Sequence, residues 1–362
     1  MAEHYVKTSI RVHIARQLEA KQAFVIWLLF FFIAFGLGYP TLNRYDPREL
    51  GADWQSYYRV VTDQATQYDR PFCYRVLVLD LAKPFYWLAR GRVHSWNPVF
   101  FGLLISNCLF CATATLLLLL IGLRITRNRT LALLACALYL LNYAVPNLWL
   151  SGMVDSSEAC LLLALTWALF SEKWWLLPLI GIVGGMAKQS FLPFSVIFAG
   201  TWWLAMPGWK RNYRQTIWVA GLGLASAASV VFVYWTSAGH FLSPVAMTRW
   251  WTPSSNLAFS AFREVSDHQF WYAFIWLLPL GVWRLKRMPR PWMMASLATA
   301  VFTFGLGAYV QLRGTVNRPL FSVIGPILSL SAASLIAGVP IPAEQDFDLV
   351  AEDEETGLVL KV

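Results

Sequence analysis

The sequence predicts an all-α polytopic membrane protein with about ten transmembrane helices. Of its 362 residues, 57% are hydrophobic and only 14% are charged, and 19 Trp, 24 Phe and 14 Tyr are present. This composition is typical of membrane proteins and excludes an ordinary soluble domain. Several apolar stretches also approach or exceed the roughly 20 residues that a helix needs to span the hydrocarbon. Lipid is therefore the expected solvent for most of the chain.

Most of the predicted helices follow directly from the apolar stretches. A stretch from 174 to 206 is too long for one upright helix and carries Gly184, Gly185, Lys188 and Pro193 near its middle, so we predict two short passes there. Six other stretches are read as single spans, and two shorter ones are further candidates. The six are 23–39, 98–122, 131–150, 215–235, 292–312 and 319–339, and the two are 159–170 and 270–283.

The basic residues decide the orientation of these helices. With two passes in 174–206, four basic connectors fall on the same face as the amino-terminal basic segment, whereas one pass would place two of them on the other face. By the positive-inside rule that face is cytoplasmic, and both termini lie there. The basic residues of these connectors are Arg124, Arg127, Arg129, Lys173, Lys210, Arg211, Arg214, Arg284, Lys286, Arg287 and Arg290.

Three regions are predicted along the chain. Residues 1–22 form a cytoplasmic amphipathic segment, and no cleavable signal peptide is apparent, so the first helix is expected to stay as an anchor. Residues 23–339 form the multi-pass membrane domain, and 340–362 form an acidic cytoplasmic tail. The net charge of +9 is spread over short loops, which favours contact with anionic lipid and argues against nucleic acid as a partner.

Two long connectors lie on the predicted outer face, at 41–97 and 237–269. In the first, the sequence from 52 to 67 lacks Pro and Gly and predicts a helix on the membrane surface with Asp53 at its start. Asp53 is either a helix cap or a chemical group, and its residue type and position do not decide between them. The apolar stretch 72–88 holds three charged residues, so we predict a half-immersed helix rather than a span.

Charged residues elsewhere on the outer face are few. Asp155 and Glu158 stand at a predicted helix start, where capping is the favoured interpretation. Lys188 lies at the break between two short helices, where a cation suggests a function. Arg318 precedes the last helix, and either snorkelling at the interface or a functional role explains it equally well. The sequence contains no Cys or His spacing typical of a metal site. The cysteines in the apolar helices are interpreted as small hydrophobic residues.

One acid and several cations suit one class of chemistry in particular. When a hydroxyl attacks a sugar that is joined to a lipid phosphate, a carboxylate can remove the hydroxyl proton while cations hold the phosphate. A glycoside hydrolase would instead need two carboxylates that flank the bond. We predict Asp53 as the base and Arg75, Lys188 and Arg318 as phosphate-binding residues, with Arg70 in reserve. Tyr57 and Tyr58 are predicted to orient the acceptor.

These residues resemble motifs of the GT-C superfamily of polytopic glycosyltransferases, in particular a bacterial group linked with cell-surface glycopolymer formation. The similar phrases are Asp53 followed by Tyr57-Tyr58, then Arg70-Pro71-Phe72-Cys73-Tyr74-Arg75-Val76-Leu77, Gly185-Met186-Ala187-Lys188-Gln189, and Asn317-Arg318-Pro319 through Gly325-Pro326. The resemblance implies a catalytic acid in the first outer loop and a polyprenyl-phosphate-linked sugar as donor. Many members pair this acid with a second one, whereas Ala52 and Gln55 flank the single Asp53 here.

The expected activity is therefore transfer of a sugar from a polyprenyl-phosphate carrier to a glycan or lipid acceptor at the outer face of a bacterial inner membrane. No cofactor is required by this chemistry, although a divalent metal stays open. One alternative is a flippase or transporter of lipid-linked glycans, which the Lys188 region leaves open. Another is a non-catalytic membrane subunit, in which the Trp250-Trp251 pair of the second outer loop would dock a partner instead of stacking on a sugar.

Overall fold

The computed structural model describes residues 20–44, 52–65, 74–92, 96–238, 254–310 and 316–339. Regular structure in these ranges is entirely helical. Its α-helices, numbered in chain order, are α1 (Ala20–Arg44), α2 (Ala52–Val61), α3 (Val76–Ala89), α4 (Pro98–Thr126), α5 (Arg129–Leu140), α6 (Asp155–Phe170), α7 (Leu177–Ala187), α8 (Phe191–Ala205), α9 (Tyr213–Ala238), α10 (Leu257–Ser266), α11 (His268–Phe274), α12 (Leu277–Leu285), α13 (Arg290–Val310) and α14 (Asn317–Ile336). A π-helix at Val145–Trp149 and single 3₁₀ turns at Trp174–Leu176 and Gly208–Lys210 complete the described elements.

Five of these helices are long and apolar enough to cross a bilayer, namely α1, α4, α9, α13 and α14. The chain is therefore a helical membrane protein, and the five corresponding span predictions are confirmed as helices. Helices α5, α7 together with its preceding 3₁₀ turn, and α8 are apolar but shorter. The total of about ten passes stays a prediction.

The central helix of the bundle is α14. Of its most apolar window, 89% of the residues are buried, compared with 17% for α1. Helix α1 therefore lies at the periphery, where its exposed side chains would face lipid, while α14 supplies much of the interior.

Helix α4 has a side-chain cap at its start. The Asn97 side chain accepts a hydrogen bond from the backbone N–H of Val99.

The predicted span at 131–150 is wrong as a single helix. Helix α5 ends at Leu140, and the chain turns before the π-helix begins at Val145. The Asn142 side chain stabilises this turn, because it accepts from the backbone N–H of Ala144 and donates to the carbonyl of Ala273, at 3.0 and 2.8 Å. Pro146 lies in the first turn of the π-helix, where a proline is tolerated because its missing N–H leaves no helical hydrogen bond unmade.

The candidate span at 270–283 is also divided. Helix α11 ends at Phe274, two turn residues follow, and α12 begins at Leu277. Pro279 lies in the first turn of α12, where its missing N–H leaves no helical hydrogen bond unmade. The proline is thus compatible with a new helix start and not with a helix that continues through it.

The stretch 174–206 forms two helices, as predicted, with α7 and α8 separated at residues 188–190. Helix α7 packs closely on α9 through glycines spaced four residues apart. A Cβ at Gly181 would lie 2.7 Å from the Leu222 carbonyl, and one at Gly185 would lie 2.7 Å from the Ser226 carbonyl. Small residues at this spacing let helix backbones approach closely in membranes.

The predicted outer loop 41–97 contains the two predicted helices. Helix α2 begins at Ala52 as expected but ends at Val61, and it buries Trp54 and Tyr57 while Gln55 is exposed. Helix α3 packs against α4 at Gly102, where a Cβ would lie 2.6 Å from the Ala82 carbonyl. Its carboxy-terminal end exposes Trp87 and Leu88, and its half-immersed position stays a prediction.

Some predictions concern residues outside the described ranges. These are most of the amino-terminal segment 1–22, the acidic tail 340–362, Arg70, and the Trp250-Trp251 pair. The described part of the second long connector includes α10, whose Asn256 side chain caps the helix by accepting from the Phe259 N–H.

Candidate functional site

A cluster of charged side chains lies at one end of the helix bundle. Asp155 is the first residue of α6, Lys188 follows the last residue of α7, and Arg318 is the second residue of α14. We call Asp53, Tyr57, Arg75, Asp155, Glu158, Lys188, Ser190 and Arg318 the charged cluster. It combines residues that are separated by more than 260 positions in the sequence, and packing of the helix ends brings them together.

Lys188 is at the buried centre of the cluster. Its ammonium nitrogen lies 2.6 Å from Asp155 Oδ1 and 3.2 Å from Glu158 Oε2. The side chains of Asp155 and Glu158 are 3% and 0% exposed, and that of Lys188 is 11% exposed. Burial alone would lower the pKa of Lys188, but the two carboxylates outweigh this effect and hold the pKa above its ordinary value. Lys188 is therefore a cation at neutral pH.

Arg318 connects this buried pair to helix α2. Its Nη1 lies 3.5 Å from Asp155 Oδ2, and its Nη2 lies 3.8 Å from Asp53 Oδ2. The Asp53 side chain is 31% exposed, about ten times the exposed fraction of Asp155. Of the two carboxylates that share Arg318, Asp53 is thus the one that an outside molecule can reach.

Tyr57 and Arg75 join the cluster from the other side. The Arg75 guanidinium donates a hydrogen bond to the Tyr57 hydroxyl oxygen. Burial raises the pKa of the Tyr57 phenol and outweighs the opposing effect of Arg75, while Asp53 and Asp155 add to the rise. Burial disfavours the charged form of Arg75, but Tyr57 and Asp155 outweigh it and raise its pKa. Tyr57 is therefore neutral and Arg75 is charged at neutral pH.

Asp155 and Glu158 correct the sequence interpretation. The sequence favours capping for both, yet the N-cap position of α6 is Val154, which makes no side-chain cap hydrogen bond. Instead the two carboxylates bind Lys188, and Glu158 also accepts from the Ser190 hydroxyl. Their spacing of three residues places both on one face of a helix, and this signal in a chain with few acids could have revealed them.

The sequence-predicted residues are therefore distributed as follows. Asp53, Arg75, Lys188, Arg318 and Tyr57 belong to the cluster, directly or through Asp155. Tyr58 is half-buried and packs against the apolar core, with no bond to these groups among the described contacts. Arg70 lies outside the described residues. The roles assigned to all of these residues remain predictions.

The cluster holds as many acids as cations. With Asp53, Asp155 and Glu158 ionised, their charge balances that of Arg75, Lys188 and Arg318. Lys188 is held by buried carboxylates, so an incoming phosphate would find it already compensated. Arg318 is different, because one of its two acidic partners is partly exposed and lies at 3.8 Å, near the limit of an ion pair. Arg318 and Asp53 are thus the groups best placed to exchange their mutual contact for a ligand.

No metal site is found at the charged cluster in the described part of the chain, and a surface cavity lies elsewhere. Among the described residues, no three His, Cys, Asp or Glu side chains come close enough to hold a metal ion. A surface cavity lined by Leu204, Met206, Pro207, Arg211 and Arg290 lies where α8 ends and α9 and α13 begin. Since the charged cluster lies where α7 ends and α8 begins, this cavity is at the other end of α8 and is not part of the candidate site.

Comparison with known proteins adds no family to this picture: the sequence matches no protein-family model, and no curated protein matches it.

Proposed function

We propose that this protein is a membrane glycosyltransferase of the GT-C type. It would move a sugar from a polyprenyl-phosphate-linked donor to a glycan or lipid acceptor at the outer face of a bacterial inner membrane. The observation that carries the proposal is the contact between Asp53 and Arg318, in which a partly exposed carboxylate lies beside a cation at the end of the bundle. The proposed base and the proposed phosphate-binding group would thereby be adjacent.

The direction of the helices supports an outer location for this site. The cluster lies at the start of α6, the end of α7 and the start of α14. The basic connectors 124–129, 206–214 and 284–290 join the opposite ends of their helices. By the positive-inside rule those connectors would face the cytoplasm, and the charged cluster would face outward.

The proposed reaction uses Asp53 as the general base. Asp53 would accept the proton of the acceptor hydroxyl while that oxygen forms a bond to the anomeric carbon of the sugar. The bond between the anomeric carbon and the phosphate oxygen breaks, and the phosphate leaves with the electron pair. Arg318 would stabilise the charge on this phosphate, since a preorganised cation is most effective where negative charge develops.

The buried part of the cluster would position these two groups. Asp155 binds both Lys188 and Arg318, so it orients the Arg318 guanidinium from its buried side. Tyr57, one turn after Asp53 on α2, fixes Arg75 beside the same site. Arg75 would then contribute positive potential to the donor phosphate without requiring direct contact. Lys188, which its two carboxylates compensate, would instead hold Asp155 in place.

A transfer assay with a radiolabelled polyprenyl-phosphate sugar tests the proposal. The Asp53→Asn variant should lose transfer by about a hundredfold or more, the usual contribution of a general base. Arg318→Gln should weaken apparent donor affinity. Asp80→Asn is the matched control, because Asp80 is an exposed acid of α3 whose partner is the surface residue Lys83. Full transfer by a folded Asp53→Asn protein would exclude the base assignment.

A transporter of lipid-linked glycans is the second candidate, and one observation favours it. Lys188 and its two carboxylates lie at the break between two short apolar helices. Ionisable residues at interrupted helices commonly mark transport pathways. Reconstituted vesicles that translocate a lipid-linked sugar, with no transfer to any acceptor, would support this function over the enzyme.

A further inference from the structure

We infer that the cavity at the opposite end of the bundle binds the phosphate group of an anionic phospholipid. It is lined by Leu204, Met206 and Pro207 from the end of α8, and by Arg211 and Arg290. Its volume of about 330 Å³ lies at the lower end of the roughly 300–1,000 Å³ typical of small-molecule sites. The inference does not depend on the proposed function.

Arg211 is fixed in a defined orientation at this cavity. Its Nε donates to the Met206 carbonyl at 3.0 Å, and its Nη2 donates to the Leu204 carbonyl. The guanidinium also lies over the Trp203 ring, 5.6 Å from its centroid. The Nη1 group makes no hydrogen bond within the described part of the chain. Backbone carbonyls thus hold one side of the guanidinium and leave donors for a ligand.

Arg290 supplies the second cation. It is the first residue of α13, it is exposed, and its side chain forms neither an ion pair nor a hydrogen bond with any described residue. The chain around both arginines, from 199 to 214 and from 284 to 292, contains no acidic residue. Two arginines without a carboxylate partner suit a phosphate, whose oxygens accept the charge-assisted hydrogen bonds that guanidinium groups donate.

The position of the cavity favours a lipid as the source of the phosphate. It lies where the apolar helix α8 ends and where the membrane-spanning helices α9 and α13 begin. Next to it, Trp209 and Tyr213 are 74% and 69% exposed, as is typical of aromatic side chains at the headgroup level of a membrane. Leu204 and Met206 would contact the upper acyl chains. Basic pockets between helix ends at this level bind anionic headgroups.

Native mass spectrometry of the full chain, released from nanodiscs of mixed phosphatidylglycerol and phosphatidylcholine, tests the inference. The wild-type protein should retain phosphatidylglycerol in preference to phosphatidylcholine. The Arg290→Gln and Arg211→Gln variants should each lose about tenfold in this preference, the usual effect of removing one charge-assisted hydrogen bond. The control is Arg263→Gln, which removes an exposed cation of α10 and should retain the wild-type preference.

Two outcomes would overturn the inference. An unchanged lipid preference in the Arg211→Gln, Arg290→Gln double variant would show that the cavity does not select the lipid. If inorganic phosphate displaced phosphatidylglycerol from the wild-type protein at millimolar concentration, a free phosphate ion would be the ligand instead. Because Arg211 also bonds to the end of α8, the single Arg290→Gln variant decides the matter if Arg211→Gln fails to fold. This variant loses no side-chain hydrogen bond or ion pair among the described residues.

Discussion

Lys188 and Asp155 form a buried ion pair of 2.6 Å that connects the end of α7 to the start of α6. Glu158 lies 3.2 Å from the same ammonium group, so one lysine pairs with two carboxylates in the interior, and Arg318 supplies a second cation to Asp155. Buried charges are tolerated only when they are paired, and removing one partner leaves the others without compensation. This pairing makes the cluster as important for stability as for any chemistry at its exposed edge.

Replacing Lys188 by Met should destabilise the protein strongly. The substitution removes the cation and leaves Asp155 with Arg318 alone and Glu158 with Ser190, so we expect a loss of about 3–5 kcal/mol. Thermal or denaturant unfolding in detergent would measure it. Lys83→Gln is the matched control, because Lys83 pairs with two exposed carboxylates, Asp63 and Asp80, and such pairs contribute about 0–1 kcal/mol. Equal stability of the two variants would contradict this account.

The two aspartates that share Arg318 should respond differently to the same change. Asp155→Asn removes a buried carboxylate from between two cations and should cost several kcal/mol of stability. Asp53→Asn removes a partly exposed carboxylate at 3.8 Å and should cost about 1 kcal/mol or less. Unfolding measured on both variants checks this ordering. If Asp53→Asn proved the more destabilising, Asp53 would be a structural residue and the proposed base would have to be sought elsewhere.

Tyr57 and Tyr58 are adjacent in sequence but have different surroundings. Tyr57→Phe should destabilise the protein by about 1–3 kcal/mol, because the Arg75 guanidinium loses a buried acceptor. Tyr58→Phe should change stability by less than about 0.5 kcal/mol, since Tyr58 is half-buried in apolar contacts. The unfolding free energies of this pair provide the measurement, and the conservative substitution keeps the ring packing of both residues. A reversed order would show that Tyr58 holds the polar contact.

Hydropathy alone was sufficient to find the long helices of this fold. It also located the break around Lys188, because a charge beside Gly184-Gly185 interrupts an otherwise apolar stretch. It failed at 131–150, since a turn whose Asn142 side chain bonds to Ala273 depends on a partner 131 residues away. Hydropathy does not report such a long-range contact. An Asn within an apolar stretch is therefore interpreted as a polar residue that the helix tolerates.

The sequence predicts only part of the candidate site, because the remaining part depends on tertiary contacts. Residue type and predicted topology selected Asp53, Arg75, Lys188 and Arg318, and packing brings these into one cluster. Asp155 and Glu158 were interpreted as caps because acids at helix starts usually are. Only the approach of α7 to α6 shows that their partner is Lys188. Tertiary contacts thus decide whether a carboxylate at a helix start is a cap or the partner of a distant cation.

Close packing of α7 on α9 holds Lys188 at the end of α7, and Gly185 tests this packing directly. A Cβ at Gly185 would lie 2.7 Å from both the Ser226 carbonyl oxygen and the Ser229 Cβ. Gly185→Ala should therefore force the helices apart and cost about 1–3 kcal/mol. Gly200→Ala in α8 is the control, because no atom lies within 4 Å of its Cβ position, and alanine is favoured over glycine in a helix by about 1 kcal/mol. Unfolding should show opposite signs for the two changes. A neutral Gly185→Ala would mean that α7 and α9 can separate without loss, and that the position of Lys188 is set by its carboxylate partners instead.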